Sequence, residues 1–427
     1  MSSQGFHVAI IGGGIGGLCL AQGLKKAGVS ASVYERDESR SSRLQGFRIH
    51  IAPEGSTALH QCLPEQLWRI FDATEGEFSQ GFTLVTERLQ ELLRLHDGGN
   101  QPADAIARHR SISRITLRQI LLAGLGESAH FGKRFVRYEE RKDGRFTIHF
   151  EDGNLAEADV VVGADGVNSR VRQQYLPDAG PVDTGVVALS GKVPLTDGAM
   201  ALVPHRLLDG PVMVMSPEPC SLFMAIWKRS GEAELSLRKL GLDGPPEGDE
   251  DYLVLGFGGK PDYLGLRDDF NSMTGRLLKD AMRRVVMRWH PSLRKLVEMA
   301  DERTLSANRL RTSRPVAPWE AKRVTLLGDA IHSMTPYRGI GANIALKDAA
   351  LLCSRLTEAN RGDKPLLDAI AEYEVAMREY AFAAVNDSLK SMNHAVGEKK
   401  NPGYGIAKTA MRVINAVPSL KRRLIPA

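Results

Sequence analysis

The chain has 427 residues, 43% of them hydrophobic and 25% charged, a balance that excludes a disordered or collagen-like protein and allows two domains around a substantial core. Its 56 basic and 51 acidic residues leave a formal net charge of +5, too small and too scattered to support nucleic-acid binding. No apolar run reaches the length of about 18 residues that a membrane span needs, and Cys19, Cys62, Cys220 and Cys353 lack C-x-x-C spacing, which excludes a disulfide framework and points to a reducing compartment.

Val8 to Ile11 is an apolar strand running into Gly12-Gly13-Gly14-Ile15-Gly16-Gly17, and Leu18 to Ala27 has helical periodicity closed by Gly28. A G-x-G-x-x-G turn between strand and helix brings backbone against a diphosphate. Gly12 makes the tight turn, Gly14 lets the diphosphate approach, and Gly17 lets helix and strand pack. The N–H groups from Ile15 onward open the helix, where the macrodipole favours negative charge. Ala31 to Glu35 reads as a second strand, and Glu35 stands where a carboxylate accepts hydrogen bonds from ribose hydroxyls. An acid there argues against a 2′-phosphate, although Arg36 beside it is basic. Because the first strand begins almost at once, no signal peptide is expected and the expected location is cytoplasmic.

Further along, Thr116 to Leu125 is an expected helix, and Phe135 to Glu140 pairs with Arg145 to Glu151 through a Lys142-Asp143-Gly144 turn. Ala158 to Val162 is an apolar strand that ends in Gly163-Ala164-Asp165-Gly166. Asp165 is placed either to cap the next helix or to hold water beside a diphosphate, with Arg172 as a nearby positive charge. From about 181 to 300 the periodicity changes. Val186 to Val193, Val212 to Ser216, Ser221 to Trp227 and Tyr252 to Gly258 read as strands of a separate sheet, followed by a helix over Gly275 to Trp289. Gly241 to Gly248 and Gly258 to Gly265 read as surface loops. Met213, Met215, Phe223 and Trp227 fit a sheet covered on both faces, with pocket lining as the alternative.

Val324 to Leu327 returns to the first domain and enters Gly328-Asp329. Asp329 ends a strand and can accept hydrogen bonds from ribitol hydroxyls. Pro336 stiffens a loop that Gly339 and Gly341 let run close to a planar ring, and Gly341, Ala342 and Asn343 lead into a helix over Ile344 to Leu356. His332 is expected in a structural hydrogen bond, and Tyr337 and Arg338 either at the loop surface or against ring or substrate. Lys399-Lys400 and Lys421-Arg422-Arg423 read as a solvated tail, with a membrane-surface or partner contact as the alternative.

The three glycine-bearing segments together resemble the FAD-dependent aromatic hydroxylases, single-component flavoprotein monooxygenases of the para-hydroxybenzoate hydroxylase type, over roughly residues 6 to 360. The resemblance implies an α/β fold: a Rossmann-like FAD-binding domain (5–72, 106–180, 301–360), an inserted α+β substrate domain with a mixed sheet (73–105, 181–300), and C-terminal helices (361–427). By the same resemblance Arg114 matches the family's arginine on a helix beside the flavin, and Arg48 falls where the family approaches the isoalloxazine. The implied cofactor set is Gly12, Gly14, Ile15, Gly17, Glu35, Arg36, Arg48, Arg114, Asp165, Gly166, Asp329, Gly341, Ala342 and Asn343. Arg48, Pro336 and Gly339 would position flavin and substrate, with no general base and no metal.

The implied cycle has NADPH or NADH reduce FAD and O₂ add at the flavin C4a. The hydroperoxide then hydroxylates or epoxidises an aromatic or polyunsaturated small molecule, with Asp165 helping to bind both FAD and the transient nicotinamide. Two departures stand out: Ile340 lies between glycines where the family often has a polar residue, and Ile331 replaces a small one. The alternatives are a flavin dehydrogenase or reductase without oxygen insertion, and a non-catalytic prenyl carrier of the same fold. A monomer or homodimer is expected.

Overall fold

Near-continuous apolar runs suit strands covered on both faces, and two such runs form the centre of the first sheet. In the computed structural model, which describes residues 5–40, 48–74, 81–96, 104, 106–203, 210–228, 251–267, 269–397, 403–417 and 419–420, β1 (His7–Ile11) lies between β2 (Ser30–Tyr34) and β11 (Val160–Gly163). β17 (Val324–Leu326) and β7 (Ala129–His130) are the edges of this five-stranded sheet, and all its pairings are parallel. Val8, Ala9, Ile10, Val160, Val161 and Val162 are fully buried. Helix α1 (Ile15–Lys26) packs on α8 (Gly341–Arg361), α2 (Pro53–Cys62) and α4 (Arg114–Leu122), with α3 (Glu65–Ala73) beside α4.

The turn residues divide the strands where local chemistry requires it. The expected strand over Ala158 to Val162 breaks at Asp159, whose Oδ2 accepts the His7 N–H at 2.7 Å while its own N–H donates to the His7 carbonyl at 2.9 Å. The chain therefore ends β10 (Leu155–Ala158), the edge of an antiparallel sheet with β9 (Phe146–Phe150) and β8 (Phe135–Glu140), before β11 begins. Gly144, at φ +78°, makes the expected turn between β8 and β9. β3 (Arg48–Ile51) and β6 (Arg110–Ser113) form a separate antiparallel pair, and α5 (Arg170–Tyr175) follows β11. Three of the four cysteines, distant in sequence, converge between α1, α2 and α8: Cys19, Cys62 and Cys353 are buried free thiols, and Gly23 makes room for two of their sulfurs.

The seven-stranded second sheet runs β16 (Ser306–Thr312), β12 (Val182–Pro194), β15 (Tyr252–Gly259), β14 (Cys220–Trp227), β13 (Val212–Met215), β4 (Gly81–Thr86), β5 (Glu91–His96). Gly258 and Gly259 thus continue a strand instead of opening a loop, since Gly258 pairs with Ser221 and Gly259 with Cys220. The expected loop over Gly241 to Gly248 falls outside the described residues. Period-2 alternation turns Val212, Val214, Leu222, Met224, Leu253, Leu255 and Phe257 to one core, capped by α6 (Gly275–Val286) and α7 (Pro291–Met299). Met213, Met215 and Phe223 occupy the other face and are only half-buried. Helices α9 (Leu366–Val396) and α10 (Gly403–Ala416) complete the chain. Among the described residues no helix is long and apolar enough to cross a membrane.

Tyr337 links the two sheets. Its hydroxyl meets the Ser221 hydroxyl at 3.3 Å and fills the space a side chain at Gly258 would need. Gly258→Ala is therefore expected to destabilise the fold by roughly 1–3 kcal/mol, with Tyr337→Phe in the same chain recovering part of the loss. Chemical denaturation of the single and double variants measures both; a neutral Gly258→Ala contradicts this packing.

Candidate active site

Parallel pairing places four strand ends at one edge of the first sheet. Ile11 is level with Tyr34 and Gly163, and Gly163 with Leu326, so Gly12, Glu35, Asp165 and Asp329 all emerge just beyond that edge. Backbone bonds hold the turns together: Gly12 N–H to Tyr34 O at 2.9 Å, Ala164 N–H to Ile11 O at 2.7 Å and Leu327 N–H to Gly163 O at 3.0 Å. Open parallel sheets bind ligands beyond such carboxyl ends.

The glycine turn divides into packing positions and one open position. A Cβ at Gly12, itself at φ +114°, would collide with the Ala164 carbonyl, and one at Gly17 with the Gly12 carbonyl. A Cβ at Gly14 would meet nothing within 4 Å, which leaves the helix mouth open to a diphosphate. Gly14 caps α1 without a side-chain bond, and the first N–H groups of α1, from Ile15 onward, lack intrahelical acceptors. Glu35 braces this turn: its Oε2 accepts the Gly13 N–H at 2.6 Å and its Oε1 the Asp37 N–H at 3.0 Å. Each oxygen keeps a lone pair for a ribose hydroxyl. Arg36 is exposed on the next turn. Arg118, absent from the sequence-based set, donates to the Gly13 carbonyl at 3.3 Å.

Ser169, not Asp165, is the cap of α5, but Asp165 braces the same helix start and keeps an oxygen for a ligand. Oδ2 accepts the Arg170 and Val171 N–H groups at 2.7 and 3.3 Å, holding the start of α5, where Ser169 is the cap. Oδ1 is buried without a hydrogen-bond partner, and burial raises the carboxyl pKa against the pull of Ser169 and these N–H groups. Gly166, at φ +80°, leaves the adjacent space open. Arg172 has a different task from the charge expected of it. It is buried and donates to the Ala330 carbonyl at 2.7 Å and the Val167 carbonyl at 3.1 Å, stapling the Asp-Gly turn to the Gly-Asp turn.

Asp329 is open to the space beyond the sheet edge, and no described residue hydrogen-bonds its carboxylate. Protein surrounds it on the other sides, so desolvation raises its pKa, while His332 and Arg114, the first residue of α4, pull it down. Beneath it, Asp348 of α8 accepts from His332 Nε2 at 2.5 Å, the Gly328 N–H at 2.8 Å and the Tyr380 hydroxyl at 2.6 Å. Burial alone would lower the His332 pKa; Asp348 outweighs it and the pKa is raised. A lone acid on the apolar stretch Ile344 to Cys353 was the available signal for this hub, and His332 has the structural bond expected of it.

The loop ahead of α8 is pinned from several sides. Thr335 donates to the Ser388 carbonyl at 2.9 Å, Arg338 pairs with Asp387 at 2.8 Å, and Pro336 opens a single helical turn ended by Gly339 at φ +64°. Tyr337 is half-buried against the second sheet, and Arg338 is exposed. The N–H groups of Gly341, Ala342 and Asn343 begin α8 without intrahelical acceptors. The Asn343 side chain is engaged elsewhere: it accepts from the Ala52 N–H at 2.7 Å and donates to the His50 carbonyl at 3.0 Å, so only its backbone is open to a ligand. Arg48 reaches the second sheet, where its Nη1 donates to the Ile226 carbonyl at 3.0 Å and its N–H to the Tyr252 hydroxyl at 3.1 Å.

An orphaned Asp165 oxygen, an open Gly14, a cleft-facing Asp329 and two helix N-termini fit an anionic dinucleotide with polyol hydroxyls. Comparison with known proteins agrees. Residues 283–387 match the FAD binding domain family and residues 10–74 the NAD(P)-binding Rossmann-like domain family. The chain is 37% identical to a Photorhabdus luminescens subsp. laumondii TTO1 protein assigned as an FAD-containing monooxygenase, with a TM-score of 0.80 over 92% of this chain and 98% of that one. It is 28% identical to the 6-hydroxynicotinate 3-monooxygenase of Pseudomonas fluorescens over 88% of this chain and 89% of the relative. It is also 30% identical to the dual O-methyltransferase/FAD-dependent monooxygenase elcB of Phaeosphaeria nodorum, of which it covers 46%. The chain therefore spans less than half the length of such dual-function relatives. It belongs to the FAD-containing monooxygenases, and FAD is the cofactor of this fold.

Gly14→Ala is expected to keep the stability of the FAD-free chain within about 0.5 kcal/mol while weakening FAD binding at least about tenfold. Gly17→Ala, which collides with backbone, lowers the stability itself; melting curves with and without FAD separate the two, and equal FAD affinity in Gly14→Ala contradicts the open-position reading. Asp348→Ala strips partners from His332, Gly328 and Tyr380 and is expected to cost about 3–5 kcal/mol. Because the folded His332 pKa is raised, the pair's stabilisation is complete below the unfolded value of about 6.5 and fades as pH rises through the folded one. The stability gap between wild type and His332→Gln should narrow toward alkaline pH; a gap that widens contradicts the pairing.

Proposed function

We propose that the chain uses NADPH or NADH and O₂ to hydroxylate or epoxidise an aromatic or polyunsaturated small molecule in the cytoplasm. The observation that carries this reading is the Tyr337 contact with Ser221, which brings the loop ahead of α8 against the half-open face of the second sheet. A planar ring held by that loop faces an apolar floor of Met213, Met215 and Phe223, where thioethers and a phenyl ring suit a flat hydrophobic substrate. In this reading the five-stranded sheet carries the cofactor and the seven-stranded sheet the substrate.

FAD held there would supply the redox chemistry, accepting hydride from the nicotinamide and activating O₂ for transfer to the substrate. The chain's own groups bind, orient and exclude water. Gly12, Gly14, Ile15 and Gly17 seat the diphosphate, and Glu35 holds the adenosine ribose. Asp165 and Asp329 accept from water and ribitol hydroxyls, and Arg114 adds positive charge near Asp329. The leading N–H groups of α8 place positive potential where a reduced flavin is negative. Pro336 and Gly339 shape the loop over the ring, and Arg48 ties the β3–β6 pair to the end of the substrate sheet. The 6-hydroxynicotinate 3-monooxygenase likeness supports a small electron-rich ring as the substrate class.

Oxidation of NADPH and of NADH, measured with O₂ uptake across a panel of phenols, quinolones and indoles, tests this. One atom of isotopically labelled O₂ should appear in the product. Substrate-dependent nicotinamide oxidation without labelled product points instead to a reductase. Arg48→Ala should retain FAD and lower kcat/KM at least about tenfold, a loss of about 1.4 kcal/mol in transition-state binding; wild-type rates remove Arg48 from the site.

A further inference from the structure

Helix α10 is mounted the reverse of an ordinary amphipathic helix, which buries its apolar stripe. Its polar side docks on the edge of the second sheet. Asn415 accepts the N–H of Arg94 at 3.0 Å and donates to Glu91 at 2.9 Å, both on β5. Arg412 donates to Gln90 at 2.9 Å, and Lys408 pairs with Glu87 at 3.6 Å. The opposite side carries Ile406, Ala410 and Val413; just past α10 the Val417 N–H still donates to the Val413 carbonyl at 3.1 Å, and Val417 and Leu420 follow at the same sequence spacing. Ile406 is 72% exposed, Val413 51%, Leu420 39% and Val417 36%. Exposed apolar side chains aligned along one helix face mark a binding surface.

Charge identifies the occupant. From Lys399 to Ala427 the sequence has seven basic residues and no acidic one, whereas the remainder of the chain has a slight acidic excess. The apolar stripe therefore sits within the one strongly basic stretch, which continues in sequence through Lys421-Arg422-Arg423, outside the described residues. Two copies meeting through this face would oppose like charges, while an anionic surface complements them. At 14 residues, roughly 21 Å long, α10 is too short to span a bilayer.

We propose that the outer face of α10 is a membrane-contact surface that seats the enzyme on anionic phospholipid, with Ile406, Val413, Val417 and Leu420 in the headgroup–acyl boundary. Lys408 and Arg412 are engaged on the docked side; the basic residues that flank α10 in sequence supply the attraction to the anionic headgroups. The second sheet is thereby held beside the lipid surface, since its edge strand β5 is the strand α10 covers. This contact is independent of the chemistry proposed above.

The test is flotation of the full FAD-loaded chain with vesicles of phosphatidylcholine alone and with about one-third phosphatidylserine. Bound protein should be at least about tenfold higher on the anionic vesicles and fall as salt is raised to about 0.5 M, where surface charge is screened. Ile406→Glu with Val413→Glu should abolish binding, and Lys421→Gln with Arg422→Gln and Arg423→Gln should reduce it to the neutral-vesicle level. Both sets should keep the flavin spectrum and melting temperature of the wild type. Absence of wild-type flotation, binding unchanged in either variant, or a dimer in light scattering that Val413→Glu dissolves would each overturn the assignment, the last in favour of a second copy.

Discussion

Parallel register in one sheet is the constraint from which the cofactor site follows. Ile11, Tyr34, Gly163 and Leu326 lie level or nearly so across β1, β2, β11 and β17, although the chain between the first and last exceeds 300 residues. Each strand then releases its turn on the same edge, so polar groups contributed by remote segments become neighbours without any contact in sequence. A shift of one residue in any pairing would flip that strand's side chains to the opposite face and withdraw its turn from the group.

Keeping that register requires buried polar groups that carry no chemistry themselves. Arg172 ties the turn after β11 to the turn after β17, and Asp348 anchors Gly328 from below. Glu35 holds Gly13 in place while keeping capacity for a ribose. Such groups are costly to bury and costlier to leave unpaired, which is why most of them are satisfied. Asp165 Oδ1, buried without a partner, and the exposed Asp329 carboxylate are left for a ligand.

How much of this was legible in the sequence depended on how local each cause is. The glycine turn and Glu35 were readable because tight turns, close backbone approach and helix starts each demand a residue type at a set spacing. The Gly-Asp and Asp-Gly turns were readable as motifs, but the partner of Arg172 was not, since Ala330 lies 158 positions away. The bonds made by Asp348 and Tyr337 were not readable for the same reason: they exist only after helices and sheets have packed. Asn343 shows the converse, a residue placed correctly at the helix start whose side chain is engaged by Ala52 and His50. The open face of the second sheet was written in the alternation of Val212 to Met215, yet an all-apolar run reads equally as a doubly covered strand.

The central claim is that remote turns of one chain close around a single flavin nucleotide, and a crystal structure of the chain soaked with FAD tests it most directly. The expected density is one FAD per chain, with its diphosphate at Gly14, a ribose at Glu35, its ribityl chain at Asp329 and its ring beside the start of α8. FAD bound elsewhere, or an empty edge at saturating FAD, would contradict the account.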